Sequence, residues 1–151
     1  MYYLPRQTLS FRPADALQTH GLFQVFNRKD FLDTLDSCYA DPLKVNPSWL
    51  CLLNLVFAIG LVLATPALGS TDAVVVDKLR KEPFDQAEIF YTNAKSLDDP
   101  IIGFEDAGFW SIQALHLMAV YMLAVSKRNT AFAYFGRFYI LLKRPKAAYE
   151  N

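Results

Sequence analysis

The chain has 151 residues, with 15 Lys+Arg set against 15 Asp+Glu, a hydrophobic fraction of 53% and an aromatic fraction of 15%. A neutral balance argues against a free-standing nucleic-acid-binding module, which needs surplus cations to displace counterions from phosphates. The apolar content argues against disorder. Two cysteines, Cys38 and Cys51, make neither a disulfide framework nor, alone, a zinc cluster, and the length fits one domain.

The neutral total hides an uneven layout. Residues 45–71 carry no charge. Residues 72–106 then hold nine acids (Asp72, Asp77, Glu82, Asp85, Glu88, Asp98, Asp99, Glu105 and Asp106) against four bases. Charge vanishes again over 107–126, and from Lys127 onward six bases face one acid, Glu150. Two long uncharged segments joined by an acidic connector are what any fold must accommodate.

In chain order, residues 1–20 lack a secretion signal: Pro5, Arg6, Arg12, Pro13 and Asp15 interrupt any apolar stretch. An intracellular chain, or one whose natural start is missing, is expected. Asn27 before Arg28-Lys29-Asp30 reads as an N-cap, and Phe31, Leu32, Leu35, Cys38 and Tyr39 follow at helical spacing, predicting a helix over about 28–39 that Asp41-Pro42 ends. Asn46-Pro47 opens a second helix to about residue 64, apolar almost all round, its smaller residues Cys51, Asn54 and Ala58 on one stripe, with Thr65-Pro66 as its close. Residues 68–83 read as a connector with about one helical turn, and Val74-Val75-Val76 has no strand partner. Pro83 opens an amphipathic helix with Phe84, Ala87, Phe90, Tyr91, Ala94 and Leu97 on one side, ended by Asp98-Asp99-Pro100. A second long apolar helix is expected over about 104–126, with Asp106, Gln113, His116 and Lys127 as a weak polar edge. Asn129 then caps a last helix over about 130–142. The predicted class is all-α: antiparallel helices packed around the two long apolar ones, about 47–64 and 104–126.

Few residues offer chemistry. His20, Cys38, Cys51 and His116 are the only soft metal-ligand candidates, and none has ligand spacing. There is no nucleophile elbow, no triad spacing and no glycine-rich phosphate loop. Asp98-Asp99 and Glu105-Asp106 read as a helix stop and a helix start rather than as paired catalytic carboxylates. Lys143-Arg144-Pro145-Lys146 has the form of a short import signal and reads first as a solvated tail. No enzyme is expected, and no catalytic, cofactor or metal residue is assigned. The competing class is a small integral membrane protein with spans at about 49–69 and 109–126, the acidic connector outside and the basic tail inside. Asn54, Gln113, His116 and Pro66 lie within those runs and oppose it. A helical-repeat adaptor is a third reading, but only one unit, around 84–97, is visible.

Several segments together resemble a known family. Residues 21–36 (GLFQVFNRKDFLDTLD) look like the opening of the regulatory middle domain of fungal zinc-cluster transcription factors. Residues 47–60 (PSWLCLLNLVFAIG) are similar to that domain's first long helix, and 87–94 (AEIFYTNA) to a later one. Residues 111–121 (SIQALHLMAVY) are similar to its most recognisable segment, and 128–136 (RNTAFAYFG) to the next helix start. The resemblance covers about 21–136. It implies an all-helical regulatory domain, nuclear and non-enzymatic, whose parent protein binds DNA through a six-cysteine zinc cluster.

This chain lacks that cluster, so zinc is expected only in the parent. Residues 1–20 match poorly, and 137–151 diverge into a basic tail. A piece of the regulatory domain is therefore expected. Its partners would be the rest of that domain, a protein or a small effector. Incomplete cover is expected at Trp49, Phe57, Trp110, Phe132 and Phe135.

Overall fold

The computed structural model describes residues 27–97 and 109–143. These form six α-helices and no strand: α1 (Arg28–Ala40), α2 (Pro47–Leu63), α3 (Thr71–Arg80), α4 (Gln86–Leu97), α5 (Phe109–Ala124) and α6 (Arg128–Leu142), with a short 3-10 turn, Pro42–Lys44, after α1. The class is all-α.

Local chemistry sets most helix starts. The Asn27 side chain accepts from the Lys29 and Asp30 amides at the head of α1, and the Asn46 side chain accepts from Ser48 N at 2.8 Å, with Pro47 in the first turn of α2. Two expected starts move. Pro83 lies before the fourth helix instead of opening it. Asp85 caps α4, its Oδ1 accepting from the Ala87 and Glu88 amides at 2.9 and 3.2 Å. Phe84 thus falls outside the helix and is exposed, while Ala87, Phe90, Tyr91 and Ala94 are buried. Asn129 does not cap the last helix either. That helix begins at Arg128 and has no side-chain cap.

The largest departure lies in the stretch expected to be a connector. Residues 71–80 form a ten-residue helix, α3, and the three valines belong to it. Ser70 accepts from Ala73 N at 3.1 Å, Asp72 sits in the first turn, and Lys78 and Arg80 sit in the last turn, where cations suit the helix C-terminus. The β-branched run suggests a strand by propensity alone. Burial of Val76 and Leu79, three apart on one helix face, overrides it.

Residues 51–61 of α2 are buried without exception, the condition of a helix apolar on every side. Helices α4 and α5 both pack on α2, and α6 packs on α5. Phe57 meets Phe90 of α4 with ring centroids 5.2 Å apart, and Phe31 of α1 meets Trp49 at 5.4 Å. Of the five aromatics expected to lack cover, Phe57 is buried and Trp49, Trp110 and Phe135 are half-buried. Phe132 alone of the five is mostly exposed. Asn54, buried in α2, donates from Nδ2 to Leu50 O at 2.8 Å, so its amide is partly satisfied within its own helix.

Helix α5 ends in a Schellman arrangement: Lys127 N donates to Met122 O at 2.7 Å, and Ser126 N to Leu123 O at 3.0 Å. Ser126 occupies the left-handed position with φ of 62°. A residue with a Cβ is strained there and glycine is not. Ser126→Gly is expected to stabilise the chain by about 1 kcal/mol, read as a rise in thermal midpoint. A fall would show that the serine side chain compensates for its backbone.

Candidate interaction surface

Among the described residues no three His, Cys, Asp or Glu side chains gather as a metal site. Cys38 and Cys51 are fully buried in the core, and burial pushes the Cys38 thiol up. His20, the pairs Asp98-Asp99 and Glu105-Asp106, and the cluster beyond Lys143 lie outside the described residues. Lys143 places its ammonium 4.5 Å from the centre of the Tyr139 ring.

Three helices meet in a tyrosine cluster. Tyr91 of α4 and Tyr134 of α6 share a hydrogen bond between hydroxyls at 2.7 Å, and the Tyr91 ring stacks on Tyr121 of α5 at 4.6 Å. Burial first, and the Asp85 and Glu88 carboxylates second, push the Tyr121 hydroxyl up to about 12. The hydroxyl bond and the ring stack join α4, α5 and α6. The shallow groove beside it is lined by Glu88, Thr92, Lys95 and Lys127, among others, which offer mixed charges and no convergent chemistry.

His116 of α5 lies between helices. Its ring sits 6.2 Å from Phe135 and 5.4 Å from Phe138 of α6, and its buried Nδ1 has no hydrogen-bond partner. Desolvation holds the imidazole below its ordinary value. The unfolded chain therefore binds the proton more readily. The stabilisation is full above the unfolded value and is lost as pH falls through the lower folded one. We expect the thermal midpoint to fall between pH 7.5 and 5.5, and His116→Phe to flatten that slope. An unchanged slope in the variant would assign the dependence to other groups.

Residues absent from sequence reasoning matter more. Arg80 of α3 donates from Nε and Nη2 to Leu61 O at 3.0 and 2.7 Å, and from Nη2 to Ala64 O at 2.8 Å. It thereby satisfies carbonyls that the end of α2 leaves without helical partners. On α6, Ala131, Tyr134 and Leu141 are buried, whereas Phe132, Tyr139 and Leu142 on another face are more than half exposed. On this helix the sequence suggested incomplete cover only at Phe132 and Phe135.

The run over 49–69 that the competing membrane reading would place across a bilayer is not one helix. Helix α2 stops at Leu63, and its 17 residues are about 26 Å long at about 1.5 Å per residue. Among the described residues no helix is long and apolar enough to cross a membrane, which counts against the two-span reading.

No curated protein and no solved structure matches the chain. The model of the fungal specific transcription factor domain matches residues 16–143, a family of transcription factor domains and not of enzymes. The match spans most of the chain, whose described residues are all-helical, and the chain belongs to the fungal specific transcription factor domain family.

Proposed function

We propose that this chain is a regulatory helical domain that contributes to the control of DNA-templated transcription in the nucleus, without catalysis and without a cofactor of its own. The carrying observation is the family match over residues 16–143. DNA contact would come through a zinc cluster elsewhere in the parent protein, because the two cysteines here are too few for one and are both buried. The mechanism is packing. Apolar helices α2 and α5 form the centre, and exposed faces meet the rest of the regulatory domain, a protein partner or a small effector. The solvent-facing Phe132, Tyr139 and Leu142 support contact with another polypeptide.

The test is to tether the chain, through an unrelated DNA-binding module, beside an activator at a reporter promoter in a fungal cell. The expected result is a changed reporter output relative to the module alone, with the untethered, tagged chain in the nucleus. Unchanged output, or a chain retained in the alkaline-extracted membrane pellet, would overturn the reading.

A further inference from the structure

We propose that the outer face of α6 is a docking site for an acidic amphipathic helix of a partner protein. This rests on the regulatory reading above and names the chemistry of the partner. Phe132, Tyr139 and Leu142 are exposed along one side of the helix, and Phe135, half-buried against the core, completes the spacing of three and four at the inner edge of that stripe. Arg128 falls near its start and Lys143 at its end, on the same side. Neither makes an ion pair with a described residue, and no Asp or Glu occurs anywhere in residues 107–149. The stripe is apolar in the middle and cationic at both ends.

Gly136 lies beside this stripe. A Cβ built there would meet nothing within 4 Å, so the fold itself gives no packing reason for glycine in mid-helix, where it is a poor residue. The missing side chain leaves a notch between Phe132 and Tyr139 into which a second helix can settle closely. The charges select the occupant. A second copy laid on the same stripe, parallel or antiparallel, would set Arg128 or Lys143 against another cation, which is repulsive. A segment with Asp or Glu near both ends and apolar side chains between them pairs with the cations and fills the notch. The apolar demand in the middle also disfavours a nucleic-acid backbone.

The experiment is fluorescence anisotropy with the whole chain and two synthetic helical peptides of about 15 residues. Both carry leucines at helical spacing; one has glutamates at the remaining positions near its ends and the other has lysines. The glutamate peptide is expected to bind at least about tenfold more tightly, with affinity that weakens as salt is raised. Gly136→Gln is expected to cut that affinity by about tenfold while leaving the thermal midpoint at or above that of the wild type. Phe132→Ser with Tyr139→Ser should do the same to binding.

Equal affinity for the two peptides, or undiminished binding by Gly136→Gln, would overturn the proposal. So would a wild-type dimer that Gly136→Gln dissociates, or saturable binding to phosphatidylserine vesicles where neither peptide binds. Peptide binding with an unresponsive tethered reporter would instead retain the docking face and remove the regulatory reading.

Discussion

Replacing Arg80 by alanine is expected to lower the unfolding free energy by about 2–3 kcal/mol, since hydrogen bonds to a charged group are stronger than neutral ones and their loss leaves partly buried carbonyls unsatisfied. Leu61 and Ala64, at the end of α2, are both buried, so their carbonyls have little access to water. The backbone meets one of them, as Ala64 N donates to Gly60 O at 2.8 Å. Arg80 meets Leu61 O and Ala64 O from a different helix, tying α3 to the point where α2 ends. Its planar fork bonds two carbonyls at once, a geometry that a lysine ammonium does not reproduce. Arg80→Lys should therefore recover the favourable charge at the helix end but only part of the stability. In thermal terms, Arg80→Ala should lower the midpoint by about 4–12 °C for a chain of this length. A loss below about 0.5 kcal/mol, within the range of an ordinary surface substitution, would show that water replaces the guanidinium there.

Phe57→Ala is expected to have the larger effect, about 3–5 kcal/mol, the usual cost of emptying an aromatic site in a packed core. Phe57 is 1% exposed and lies against Phe90, at the contact between α2 and α4. Removing it costs the transfer energy of the ring and leaves a cavity between helices that cannot close without moving both. Domain stabilities are about 5–15 kcal/mol, so this one change consumes a large share. Chemical denaturation should show an earlier midpoint or a chain already unfolded without denaturant. Phe57→Leu, which keeps most of the volume, should cost under half as much. Near-equal losses in the two variants would place the ring outside the load it is assigned.

Much of this fold is legible in the sequence where one signal dominates. Asn27 and Asn46-Pro47 mark helix starts by capping chemistry alone, and both appear in the structure. The buried side of α4 follows from the spacing of Ala87, Phe90, Tyr91 and Ala94. Legibility fails where two signals compete. At 71–80 the β-branched valines oppose the cap at Ser70, and the outcome rests on what Val76 and Leu79 pack against, which no local pattern contains. At 83–86 proline and Asp85 both offer a start, and only the geometry selects the carboxylate. Arg80 escapes sequence reasoning for a different reason. Its partners are backbone carbonyls 16 and 19 residues away, so nothing in the side chains near it announces the contact. Of the outer face of α6 the sequence suggested only incomplete cover at Phe132 and Phe135, and which stripe faces the core is decided by packing on α5 and by the bond between the Tyr91 and Tyr134 hydroxyls.

The proposed role requires a folded helical domain that acts on transcription through contacts with other polypeptides. The most direct measurement is the tethered reporter, run with the wild-type chain, the core variant Phe57→Ala and the surface variant Gly136→Gln, all at matched protein levels. A changed output is expected with the wild type, loss of that change with Phe57→Ala, and loss or marked reduction with Gly136→Gln although that variant stays folded. A reporter that responds identically to wild-type and Phe57→Ala chains, or to none of the three, would contradict the proposed role.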